Sequence, residues 1–210
     1  MPNWCENYIE ISHDDPKMIE KFVEAFNKEE VANTFRPQPD FTTTPVPEAY
    51  PEISASFEKD PVKKAEILRN EGTIRKGSWW DWNVINWGTK WDFGCDGQEV
   101  EWDGSNNLTV FFLTAWCPPT ELFEYMTSEH GFHICGEFLE PGMDFLGRWE
   151  SDIGYIDSRS VPHNRDELSE IESDYPMMYS SVELQIEWSE EQEEEEREFE
   201  RKQKETDKAV

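Results

Sequence analysis

The chain has 210 residues, 47 acidic against 19 basic, and a formal net charge of -28. Hydrophobic residues make up 36% of it, but 14% are aromatic and ten are Trp, so there is material for a core and the chain is no simple disordered acid. No apolar run approaches the roughly 20 residues of a spanning helix. The excess charge repels nucleic-acid phosphates and phospholipid head groups and favours basic surfaces.

Residues 3–11 (NWCENYIEI) predict a strand, with Cys5, Ile9 and Ile11 on one face and Glu6 and Glu10 on the other. Asp15-Pro16 then opens a helix to about residue 29, whose core stripe is Met18, Ile19, Phe22, Val23 and Phe26. Pro37, Pro39, Pro45, Pro47 and Pro51 keep residues 35–50 irregular. A second helix is expected over 61–71, with a thin apolar face that packs from outside. In 78–93 (SWWDWNVINWGTKWDF) the alternation of Trp80, Trp82 and Val84 predicts a strand ending near Gly88. A short strand is expected over 99–102.

Residues 108–116 (LTVFFLTAW) are apolar on both faces, which predicts a central strand. Pro118-Pro119 starts a helix carrying Leu122, Phe123 and Met126, and 132–138 (FHICGEF) forms another strand. A hairpin is expected from 145–149 and 153–156, and a short helix capped by Asn164 follows. Residues 181–188 (SVELQIEW) alternate strictly and predict a half-buried strand. Ser189-Glu190-Glu191-Gln192 has the pattern of a capping box opening a helix with Phe199 as its one large apolar residue.

This order gives an α+β fold: a ferredoxin-like antiparallel sheet with helices on one face, a C-terminal hairpin and strand extension, and a charged C-terminal helix. The expected units are a domain over 1–150 with a Pro-rich insertion at 36–78, an extension over 151–188 packed on it, and an acidic tail over 189–210. Residues 187–210 hold 11 acids and 5 bases, so most of the excess negative charge lies on the body.

The cysteines, Cys5, Cys95, Cys117 and Cys135, form no C-x-x-C pair. The opening residues have no basic or apolar leader. Together these predict free thiols in a reducing compartment, the cytoplasm. His130 and His133 are too few to make a metal site, and no cofactor motif is present. Asn86, Trp87, Thr89, Lys90, Trp91 and Asp92 make up the best candidate binding loop: an amide, a hydroxyl, a cation and a carboxylate among tryptophans. Trp79 and Asp81 stand just before it. A plain turn with Lys90 paired to Asp92 and Thr89 bonded to the backbone explains the same residues. Glu140 and Asp144 add carboxylates around a later turn. No Ser-His-Asp or Cys-His arrangement is present, so no catalytic residues are assigned. Cys117 stands at a helix start, but its apolar neighbours suggest a buried strand end.

The stretches MPNWCEN (1–7), VINWGTKWD (84–92), FLTAWCPP (112–119) and FLEPGMDFLG (138–147) occur in that order. Together they resemble the YubB-type, Api-like ferredoxin-like family of bacteriophages, plasmids and genomic islands. The resemblance implies a fold and a mobile-element context, and no reaction.

Two functions follow as expectations. The first is a non-enzymatic protein that binds a basic host protein without touching nucleic acid or membrane. Such a protein could be an anti-defence inhibitor that mimics DNA. The second is a nucleotide- or small-molecule-binding protein, or an enzyme, with Lys90, Arg75 and Arg148 converging on an aromatic pocket.

Overall fold

The computed structural model describes residues 3–69 and 79–208. Arg75 and the rest of 70–78 lie outside the described residues, so nothing bears on their expected place in a pocket. β1 (Trp4–Ser12) and α1 (Pro16–Asn27) form as their patterns predict. Asp15 caps α1 by accepting from the Lys17 amide at 3.0 Å. Two short helices that the sequence did not announce, α2 (Val31–Phe35) and α3 (Pro51–Phe57), flank the Pro-rich segment. α4 (Pro61–Arg69) buries none of its side chains.

α5 (Trp79–Trp87) is a helix where the alternation predicted a strand. The alternating run is only five residues long, and the buried positions are Asn83 and Trp87, four apart. A buried Asn is tolerated because both halves of its amide are used. Its nitrogen donates to the Lys90 carbonyl at 2.8 Å, and its oxygen accepts from Gln38 at 2.6 Å. The strand expected over 99–102 is absent too: the Asn27 side chain alone bonds the Val100 N–H and C=O, at 2.8 and 3.0 Å.

The remaining elements are β2 (Asn107–Ala115), α6 (Thr120–His130), β3 (His133–Glu140), β4 (Phe145–Glu150), β5 (Gly154–Arg159), α7 (Arg165–Ile171) and α8 (Tyr179–Lys208). The five strands form one antiparallel sheet in the order β2-β1-β3-β4-β5. β2 and β3 flank β1 and are joined through α6, which is the split βαβ unit of a ferredoxin-like fold. β2 is therefore an edge strand, not the central one its composition predicted. Its inner residues Val110 and Phe112 are buried, whereas Phe111 on the other face is 48% exposed.

α8 corrects a second strand assignment. Residues 181–188 belong to this helix, and the capping-box serine, Ser189, lies inside it with its hydroxyl on the Gln185 carbonyl at 2.9 Å. Met178, Val182 and Ile186 are buried at a spacing of four, whereas Leu184 and Trp188, which completed the alternation, are exposed. The helix starts where Glu137, at the middle of β3, accepts the amides of Met177 and Met178 at 2.9 and 3.0 Å.

The sheet thus separates two cores. On the inner face, α1, α2 and α6 bury Phe22, Phe26, Phe35, Phe123 and Met126 against Ile9, Ile11, Phe112 and Ile134. Phe93 stacks on Phe112 with ring centres 4.4 Å apart. Gly136 of β3 lets β1 approach, since a Cβ there would meet Ile9 at 2.5 Å. On the outer face, Leu168, Ile171, Val182 and Ile186 of α7 and α8 cover Leu139 and Leu146. Helices therefore pack on both faces, and the outer cover stops near Tyr8 of β1.

Candidate functional site

Strand parity decides what the uncovered part of the outer face presents. Cys5, Asn7, Ile9 and Ile11 point inward and are buried, so Trp4, Glu6, Tyr8 and Glu10 point outward. The register sets Glu6 beside Leu113, Tyr8 beside Phe111 and Glu10 beside Thr109. Each of these rows continues into β3, to Leu139, Glu137 and Cys135. α8 covers the β3 end, and the β1–β2 end is left as alternating aromatic and carboxylate rows. At its foot a groove of about 470 Å³ lies among Glu10, Thr109, His133, Cys135, Glu150 and Asp152.

At the opposite end of these strands, the four stretches that carry the family resemblance come together from positions over a hundred residues apart. The Trp116 amide donates to the Asn3 carbonyl at 3.0 Å, and Asn3 packs on Gly142. The Thr89 hydroxyl donates to the Ala115 carbonyl at 3.1 Å. Gly88 has a φ of +80°, which favours glycine, and an added Cβ would also crowd the Pro118 carbonyl at 3.1 Å. Trp4 and Trp91 have ring centres 6.1 Å apart, and the Lys90 ammonium stands 4.3 Å over Trp91.

Trp116 holds a left-handed φ of +75°, rare for a bulky residue and costing about 1–2 kcal/mol. The Asn3 bond and the Thr114 hydroxyl, which donates to the Cys117 carbonyl at 2.8 Å, fix this turn. Strain of this kind concentrates at functional surfaces. Its product here is an indole 42% exposed, one residue beyond Ala115, which pairs with exposed Trp4.

Most of the loop residues singled out in the sequence are framework. Trp87 is buried and donates to the Arg36 carbonyl at 2.8 Å; the Asn86 carbonyl accepts from Arg36 at 2.8 Å, and its amide bonds Trp82. Asp92 does not pair with Lys90; it accepts the α2 amides of Ala32 and Asn33 at 2.6 and 2.9 Å. Burial holds its carboxyl above the usual range despite these bonds. Thr89 bonds the backbone as a turn residue would. Asp81 accepts from Ala49 at 3.0 Å, and Trp79 is half-buried at the start of α5.

Glu140 is buried and closes its own turn on the amides of Gly142 and Met143, at 3.0 and 2.6 Å. Asp144 accepts from Val161 at 3.0 Å and lies 3.5 Å from His163. Lys90 and Trp91 alone of the expected loop residues belong to the exposed aromatic surface. Trp4, Glu6, Tyr8, Glu10, Phe111 and Trp116 were missed, although β1 parity already placed Trp4 and Tyr8 on the face of Glu6 and Glu10.

Lys90 and Arg148, the two described cations of the three expected to converge on a pocket, have separate partners. Lys90 lies on Trp91, while Arg148 stands between Cys135 and Glu150, at 3.8 and 3.7 Å. Cys117 is half-buried, and burial with Glu121 and Glu140 nearby raises its pKa, so it is a thiol at neutral pH. Cys5 is raised further, first by burial and then by Cys117 and Glu140. His130 ends α6 with its ring nitrogen 3.0 Å from the Phe35 carbonyl. Among the described residues no helix is long and apolar enough to cross a membrane.

Residues 87–175 match the family described as the ferredoxin-like domain in Api92-like protein. This is the family the four sequence stretches resemble. The matched span holds β2, α6, β3, β4, β5 and α7 but omits β1, the strand that fills the gap between β2 and β3. No curated protein matches the chain. Among solved structures it is similar to the crystal structure of a protein api92 from Yersinia pseudotuberculosis. The identity is 11%, 78% of this chain and 99% of that one are covered, and the TM-score is 0.39.

Proposed function

Starting from a chain whose residues 87–175 match the ferredoxin-like domain of Api92-like proteins, we propose that it is a binding protein without a chemical step. It holds a basic protein partner against the open β1–β2 part of its sheet. One observation carries this reading. Exposed Trp4, Trp91, Trp116 and Phe111 share this region with Glu6 and Glu10, in a chain of net charge -28. Exposed aromatics of this kind supply binding energy when desolvated, and surrounding carboxylates speed and filter encounters with a basic surface. A host protein whose basic cleft ordinarily takes nucleic acid fits this chemistry, and the chain then acts as a DNA mimic.

The test is capture from host lysate, followed by titration of the purified captured protein. Affinity should fall as salt rises, chiefly through the on-rate, because exposed charges are screened within about 8 Å at physiological ionic strength. Trp4→Ala with Trp116→Ala should weaken binding about tenfold or more at unchanged net charge. Duplex DNA should compete for the partner, and the chain itself should not shift DNA in a gel. Binding indifferent to salt and to both tryptophans rejects the reading. Loss of DNA competition alone rejects the mimic form of it.

A further inference from the structure

The two edges of the sheet are finished differently. β5 has six residues, carries Asp157 and Arg159, and pairs with β4 through a register shift between Arg148 and Trp149. The Tyr175 hydroxyl also donates to Asp157 at 2.9 Å. Short length, charge and a bulge are the devices that keep an edge from pairing with another chain. β2 has none of them. It runs nine residues in unbroken register with β1, and NLTVFFLTA contains no charge, proline or glycine. Among the described residues β2 pairs with β1 alone, and no backbone group of a turn or loop bonds Leu108–Leu113.

We propose that the free edge of β2 receives an extended segment of a basic partner as a sixth strand. This deepens the binding reading given above and rests on it. The added strand lies about 4.8 Å beyond β2, and its outward side chains meet Thr109, Phe111 and Leu113. Glu10 and Glu6 stand in the same rows one strand further in, about 10 Å away, within reach of Lys and Arg. The fitting segment therefore alternates apolar and basic residues. Main-chain hydrogen bonds give it affinity, and its outward side chains give it specificity. A second copy of this chain is the disfavoured occupant, because it brings another net charge of -28 and the same glutamates to the junction. The overall charge keeps copies apart, so the edge needs no local guard, and a basic segment is the one kind of strand this field does not repel.

The test uses the full chain and three synthetic ten-residue peptides: alternating Lys-Val, the same peptide with alternate backbone amides N-methylated, and alternating Glu-Val. The Lys-Val peptide should slow amide exchange within Leu108–Leu113 and leave β5 unchanged. N-methylation keeps charge and side chains but removes the main-chain donors, so it should cost about tenfold or more in affinity. Glu-Val should not bind. Thr109→Lys, an exposed change that guards the edge, should weaken Lys-Val binding by a similar factor. Equal binding of the methylated peptide, protection elsewhere than β2, or no binding of Lys-Val overturns the proposal. So does concentration-dependent dimerisation that protects β2 without peptide, which assigns the edge to a second copy. If Trp4→Ala with Trp116→Ala abolishes binding of the captured partner while β2 exchange never changes, the binding reading stands and strand addition falls.

Discussion

The two faces of the sheet are covered to different extents. The inner face lies under α1, α2 and α6, and its aromatic pairs run without a break from Phe22 through Phe26 and Phe112 to Phe93. The outer face is covered by α7 and α8 over β3 and β4, and open over β2 and the outer side of β1. One strand pair therefore has a sealed side and an exposed side. Stability resides in the first, and the exposed aromatics and carboxylates occupy the second. Substitutions on the two sides should separate cleanly.

The largest effect is expected at Phe112, which is 1% exposed and touches both Phe26 and Phe93. Phe112→Ala should destabilise by about 3–5 kcal/mol in urea melts. Its neighbour Phe111, on the open side, should tolerate Ala with a far smaller loss. A cost below about 1 kcal/mol at Phe112 breaks the comparison, because the inner face would then not be sealed. Next comes Ile186→Ala in the outer core, at about 2–4 kcal/mol. Amide exchange should show this variant loosening α8 first and leaving β1 and β2 protected. Equal loosening of β2 would make the two cores one cooperative unit.

The same contrast explains what could be read from the sequence. β1 and α1 were legible because each has one sealed face and one more open face, and the period shows in the residues; β3 and the β4–β5 hairpin were legible from their apolar runs, although β3 and β4 are covered on both faces. β2 misled because an edge strand left open at Phe111 and Leu113 has the composition of a central one. α8 misled because Val182 and Ile186 fit both a period of two and a period of four. Only Met178 before them, and Glu137 from forty residues away, make the segment a helix. α5 misled because tryptophan surrounds it on most sides and its buried polar residue is held by Gln38, 45 residues away, and by the Lys90 carbonyl beyond the helix end. The site was half legible. Trp91 and Lys90 stood out with their loop, while Trp116 needed its backbone conformation to be seen.

Glu137 sharpens the comparison, since it ties the open sheet to its helical cover. Burial holds its carboxyl above the usual range, against the pull of the Met177 and Met178 amides and Arg148. A carboxyl raised in the folded state binds its proton more tightly there than in the unfolded chain. Its contribution is present at low pH and is lost as pH rises from the ordinary glutamate range through the raised value. Both amides bond a single oxygen, Oε2, which the carbonyl of Gln can replace. Glu137→Gln should therefore flatten the fall in stability as pH rises above the ordinary glutamate range, about pH 4, relative to the parent chain. Parallel curves would show that Glu137 ionises alike in both states.

The smallest effect is expected from the end of α8. Beyond Trp188 the described side chains are exposed, and the helix is held by pairs along its own surface, Glu193 with Arg197, Glu198 with Lys202 and Glu200 with Lys204. Each is open to solvent, supports the helix only locally and adds nothing to the sheet. Among the described residues an ion pair reaches the body, Arg165 of α7 to Glu190 at 3.2 Å, and Arg165 also holds Glu187 at 3.4 Å, which remains when the tail is cut. Deleting 190–210 should leave the thermal midpoint within about 5 °C, because a solvent-screened surface pair adds little to stability. The deletion also removes a block of glutamates while sparing Glu6, Glu10 and the tryptophans. Partner affinity at moderate salt should therefore change less than it does with Trp4→Ala and Trp116→Ala. A truncated chain that folds normally but no longer binds would move the interaction from the open sheet to the tail.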